Sequence, residues 1–220
     1  MMTKRSPQFF SALLISMTVT VAHAAEAPAQ PVAANMEAGK AKSAMCMACH
    51  GADGNSPSGA FPSIAGQNAA YIAKQLQDYK AGKRVNPMMA GIVAALTPED
   101  MQNLAAYYAT QTIKPQPAPA ADMQALIERG RALYQTGRVA SGGQAAIAAC
   151  SACHGAQGFG NAPAAYPALH GQHAAYTELM LKAFRDGTRS NDLNAVMRQA
   201  GQPLSDEDAR ALAAYTASMH

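Results

Sequence analysis

Beyond residue 35, the apolar residues of the chain fall into short windows with helical spacing, separated by stretches rich in Gly, Pro and polar residues. Met36 to Ala48 reads as a helix leading into a cysteine pair. Tyr71 to Ala81 reads as a second, with Tyr71, Gln75, Leu76 and Tyr79 on one face. The third has the clearest start: Thr97 as N-cap, Pro98 at the first helical position and Glu99 and Asp100 in the first turn open a helix through Ala109. Ser205, followed by Asp206, Glu207 and Asp208, repeats that signal near the other end. No stretch alternates apolar and polar residues as a half-buried strand does. The fold class expected is all-α.

The leading apolar window is of another kind. Phe9 to Val21 follows Lys4 and Arg5 and precedes Ala22-His23-Ala24, the charged, apolar and small-x-small succession of an export signal. Residues 1–24 are therefore expected to be a signal peptide cleaved after Ala24, and residues 25–35, rich in Ala, Pro and Gln, a flexible tail. The run is short for a membrane span and no later window supplies about 18 unbroken apolar residues. The mature protein is expected to be soluble, with at most peripheral membrane association.

The remainder is a tandem duplication. Phe61-Pro62-Ser63-Ile64-Ala65-Gly66-Gln67-Asn68-Ala69-Ala70-Tyr71 matches Tyr166-Pro167-Ala168-Leu169-His170-Gly171-Gln172-His173-Ala174-Ala175-Tyr176 at an offset of 105. Leu96-Thr97-Pro98-Glu99-Asp100 matches Leu204-Ser205-Asp206-Glu207-Asp208 at an offset of 108. Between the copies, residues 114–119 hold three prolines, which favour an extended, semi-rigid linker. The domains are then expected at 36–113 and 120–220, each with three main helices. The stretch Gln135 to Ala149 has no equal in the first copy and is rich in Gly and Ser, so a surface loop is expected there.

Composition adds one constraint. Hydrophobic residues make up 49% of the chain, but only 13 are aromatic (8 Tyr, 5 Phe) and alanine is abundant, so side chains alone make a thin interior. A bound group would complete it. The formal charge of +3 falls to +1 on loss of Lys4 and Arg5, and no basic run approaches what phosphate contacts require. Nucleic acid is excluded as a partner.

All four cysteines lie in two C-x-x-C pairs, each followed by histidine: Cys46-Met47-Ala48-Cys49-His50 and Cys150-Ser151-Ala152-Cys153-His154. In an exported chain the default for paired cysteines is a disulfide, but the histidine in both pairs makes each the attachment signature of haem c. Two thiols one helical turn apart add to the two vinyl groups of one haem, and the adjacent imidazole reaches its iron. A zinc site of two such pairs holds them about 15 to 20 residues apart, against 104 here. Two covalently bound haems are expected, with His50 and His154 as axial ligands.

A low-spin haem needs a second axial ligand, His or Met. Between the second and third helices of the second copy, Met197 is the sole candidate, seven residues before Leu204. The first copy offers Met88 and Met89, and the same count of seven before Leu96 selects Met89. Met101 and Met180, on helices, suit the role of soft core filler better. His170, His173 and His220 have no histidine counterparts and suit surface or interdomain roles. Arg84 and Arg189 occupy matching positions and are candidates to pair with haem propionates.

These features resemble the dihaem cytochrome c4 family, two class I cytochrome c domains in tandem. The resemblance spans the mature chain: both attachment motifs, Gly51-Ala52-Asp53-Gly54-Asn55-Ser56, and the paired Pro-x-x-x-Gly-Gln segments. It implies a periplasmic electron carrier with His/Met ligation at both irons, passing electrons from a quinol-oxidising bc-type complex to terminal oxidases. It also implies that Pro62 and Pro167 lie beside the proximal histidines. The alternative is a dihaem peroxidase or the cytochrome subunit of a periplasmic dehydrogenase; a methionine in register in both copies favours the carrier.

Overall fold

In a computed structural model of the chain, which describes residues 34–114, 116–117 and 120–219, helices begin where side chains can cap them. The Thr97 hydroxyl accepts from the Asp100 amide at 3.0 Å while the Asp100 carboxylate accepts from the Thr97 amide at 2.9 Å. Ser205 and Asp208 repeat the pair at 3.0 and 3.1 Å. Each box satisfies amides that no intrahelical carbonyl reaches. The stretches expected to form a signal peptide, 1–24, and a tail, 25–35, lie outside the described residues except for residues 34 and 35.

The first lobe contains α1 (Met36–Lys42), α2 (Met47–His50), α3 (Ala69–Lys80), α4 (Pro87–Val93) and α5 (Pro98–Ala109). The second contains α6 (Gln124–Thr136), α7 (Ser151–His154), α8 (Ala174–Arg185), α9 (Val196–Gly201) and α10 (Asp206–Ser218). Long helices pack alike in both: α1 and α3 rest on α5, and α6 and α8 rest on α10. At the first crossing Gly39 lies so close to α5 that an added Cβ would come within 2.1 Å of the Asn103 carbonyl oxygen; Gly130 stands 2.0 Å from that of Ala211 in the same way. Only glycine lets these backbones meet. One core gathers Ile72, Leu76, Val93, Leu96, Met101, Leu104 and Tyr108. The other gathers Leu133, Tyr134, Ile147, Leu204, Leu212 and Met219.

Two local expectations change, and the expected surface loop after Thr136 is largely exposed. The helix read as Met36 to Ala48 stops at Lys42 and tightens into a 3-10 turn over Ser43–Met45, where the Ser43 hydroxyl donates to the Lys40 carbonyl at 2.7 Å. The segments before Leu96 and Leu204, read as loops, contain α4 and α9. Asn86 caps the Met89 amide at 3.0 Å with Pro87 at the first position, a start signal as good as that of Thr97. Past Thr136, the glycine-rich stretch closes on itself through isolated bridges between Arg138 and Ile147 and between Ser141 and Gln144. No described helix is long and apolar enough to cross a membrane.

Candidate functional site

The attachment motifs form matching single-turn helices. Cys46 precedes α2 and Cys49 lies within it, and Cys150 and Cys153 stand likewise about α7. All four are half-buried and none is in a disulfide. Burial pushes the Cys46 thiol up and pushes Cys150 up to about 11. Among the described residues no three His, Cys, Asp or Glu converge as a metal cluster.

Each motif histidine is buried and tethered. His50 Nδ1 is 2.8 Å from the Pro62 carbonyl and His154 Nδ1 is 2.9 Å from that of Pro167. A carbonyl only accepts, so Nδ1 carries the proton and Nε2 keeps its lone pair, the form that ligates a metal. Burial lowers the pKa of both imidazoles more than the carbonyl bond raises it, which keeps them neutral. Phe61 and Tyr166 stand over the two rings at 6.5 and 6.2 Å.

Of the methionine candidates, Met89 is half-buried and packs on the first core, as Cys46 does, whereas Met88 is 56% exposed. Met197 lies half-buried in α9. Met101 is core filler as expected. Met180 is not: its sulfur receives Arg84 Nη2 at 3.4 Å from the other lobe.

Between the lobes lies a polar network that the sequence reading largely missed. Arg84 donates to Gln75 Oε1 and to the Tyr176 hydroxyl, both at 2.8 Å. Arg189 donates to the Tyr71 hydroxyl at 2.9 Å, to the same Gln75 oxygen at 3.1 Å and to Asn191 at 3.0 Å. Each guanidinium also lies over a ring of its own lobe, Tyr79 at 4.7 Å and Phe184 at 4.4 Å. Burial pushes the Tyr71 phenol up, but the Arg189 and Arg84 charges outweigh it and leave it below its ordinary value. His173 Nε2 donates to Ser56 of the first lobe at 2.9 Å, the interdomain role expected of it. His170 packs edge-on against Phe159, with ring centroids 4.5 Å apart, and His220 lies outside the described residues. The repeat marked Tyr71, Tyr176, Gln67 and Gln172 as paired positions, and the same offset pairs Asn191 with Asn86; Gln75 carries no such mark.

The family profile "Cytochrome c" matches this chain twice, over residues 36–112 and 127–220. Cytochrome c4 of Pseudomonas aeruginosa is 40% identical over 209 residues, covering 94% of this chain and 98% of that protein. The thiosulfate dehydrogenase electron acceptor of Stutzerimonas stutzeri is 42% identical over 178 residues, covering 79% and 78%. Among solved structures, reduced recombinant cytochrome c4 from Pseudomonas stutzeri superposes with a TM-score of 0.79 at 40% identity, covering 86% of this chain and all of that one. Two lobes of one helical plan, each built on a Cys-x-x-Cys-His turn, thus agree with the relatives in sequence and in fold: the chain belongs to the dihaem cytochrome c4 family and carries two covalently bound haem c groups, on Cys46 and Cys49 and on Cys150 and Cys153.

Proposed function

We propose that this protein is a periplasmic carrier with both irons six-coordinate, His50 and Met89 on one and His154 and Met197 on the other. The observation that carries this reading is the pairing, in each lobe, of a carbonyl-tethered histidine with a methionine at the same repeat position. Each haem c supplies an iron that gains and loses a single electron. The chain's residues do the rest. Pro62 and Pro167 fix the imidazole planes, and methionine sulfur favours the ferrous state and raises the potential.

The remaining charges also fit the group. Arg84 and Arg189 are each 8% exposed, share one glutamine oxygen, and form no ion pair among the described residues. Two buried cations side by side call for anions, and haem propionates are such anions. With Tyr71 and Tyr176 beside them, these arginines would hold the propionates between the lobes.

The electron donor is a quinol-oxidising bc-type complex and the acceptor a terminal oxidase. The likeness to a thiosulfate dehydrogenase electron acceptor favours a second reading, in which the same carrier takes electrons from a periplasmic dehydrogenase. The test is a reaction with carbon monoxide. The reduced protein resists it at neutral pH, is reduced by ascorbate, and passes electrons to oxidase-containing membranes. Rapid carbon monoxide binding at one haem with peroxide turnover would replace the carrier by a peroxidase. Reduction by a periplasmic dehydrogenase, with none by a bc-type complex, would select the second reading.

A further inference from the structure

Gln67 and Gln172 are repeat partners, and the fold uses each in the opposite lobe. Gln172 Oε1 accepts from the Ser63 amide at 2.9 Å, and its Nε2 donates to the Ser63 carbonyl at 2.8 Å. Gln67 does the same to Ala168, at 2.8 and 2.9 Å. All four residues are buried, between 3 and 8% exposed. Each Oε1 also accepts from the next amide of its own chain, Asn68 at 2.9 Å and His173 at 3.0 Å. Three bonds therefore hold each carboxamide in one orientation.

The bridged residues follow Pro62 and Pro167. The Pro62 carbonyl and the Ser63 N–H belong to one peptide group, as do the Pro167 carbonyl and the Ala168 N–H. The peptide that accepts from His50 Nδ1 thus donates to a glutamine of the second lobe, and the peptide that accepts from His154 Nδ1 donates to a glutamine of the first. Hydrogen bonds in such a chain polarise one another. A peptide whose N–H is engaged has a more basic carbonyl, which draws harder on Nδ1–H and makes Nε2 a stronger donor.

We propose that Gln67 and Gln172 are positioning residues that act crosswise, each setting the donor strength of the proximal histidine in the other lobe and so the reduction potential of the other lobe's haem. A stronger imidazole donor favours ferric iron, so each bridge lowers the potential of the haem across the interface. This inference rests on His50 and His154 being ligands.

The test uses Gln172→Met and Gln67→Met in the intact dihaem protein, with redox titration followed by NMR so that each haem reports itself. Gln172→Met is expected to raise the first-lobe potential more than the second and to move the His50 Nδ1–H resonance of the reduced protein to lower frequency while His154 stays. Gln67→Met is expected to do the reverse. Gln172→Glu retains an acceptor for Ser63 and is expected to lower the first-lobe potential, which covers the case in which the methionine variants merely loosen the lobes. Equal shifts at both haems, shifts confined to the variant's own lobe, no shift, or a rise with both Met and Glu each overturn the proposal. The ligands are checked separately: a low-spin visible spectrum lost in His50→Ala and His154→Ala upholds them, and an intact spectrum without crosswise shifts sinks this inference alone.

Discussion

Met88 and Met89 are neighbours in sequence with opposite surroundings, one 56% exposed and the other packed on the core beside Cys46. Substituting Met89 by Ala is expected to remove half of the near-infrared sulfur-to-iron band of the oxidised protein, and Met88→Ala to leave it whole; the opposite result would move the ligand by one residue. Counting back seven residues from Leu96 picks Met89, as the same count from Leu204 picks Met197. Another residue whose setting decides its role is Asp208, 0% exposed, which accepts from Arg129 at 2.7 Å, Arg138 at 3.0 Å and the Ser205 amide at 3.1 Å. Burial pushes its carboxyl up, and these partners outweigh that and hold it below the usual carboxylate range. Its native pKa then lies under an unfolded value of about 3.9. The stabilisation is present above that value and is lost as pH falls through the native pKa. Asp208→Ala is expected to cost on the order of 3 kcal/mol near neutral pH, read by denaturant unfolding, with the deficit narrowing in acid. From sequence, Asp208 was a helix-start residue; its arginines come from 79 and 70 positions away.

Helix starts were legible because capping is settled within four residues. The same local logic would have found α4 from Asn86 and Pro87. What sequence did not show is how helices cross. Gly39 and Gly130 sit within helical runs, where glycine ordinarily costs about 1 kcal/mol relative to alanine. Their value lies in the carbonyls of Asn103 and Ala211 opposite, 2.1 and 2.0 Å from where a Cβ would stand. Overlap with rigid backbone outweighs the gain in helix propensity. Gly130→Ala is therefore expected to destabilise the second lobe by about 1–3 kcal/mol. Calorimetry should show a lower Tm, with no change in the first-lobe haem spectrum of the folded protein; a more stable variant would mean that α6 and α10 can separate at little cost.

Across the whole molecule, the lobes are joined through groups that are polar and buried. Gln75 alone accepts from Arg84 and Arg189 and, at 3.0 Å, from Asn191. Gln75→Leu strands three donors at once, each unmade bond costing about 1–3 kcal/mol. The variant is expected to bind both haems yet unfold in two resolved calorimetric steps, and the unaltered protein in one merged transition; merged unfolding in the variant would place the coupling elsewhere. The sequence by itself determined the haem attachment and the duplication, because the first depends on a spacing of three residues that survives in any fold with the same local turn and the second on segments matched at a fixed offset. Only the tertiary structure decided how the lobes meet. Gln75 becomes a shared acceptor, and Gln67 and Gln172 become bridges, through partners up to 116 residues distant. The repeat does not encode that arrangement: position 180, which matches Gln75, holds methionine. Burial of unlike side chains against one another, rather than any motif, selects which polar groups must find each other across the boundary.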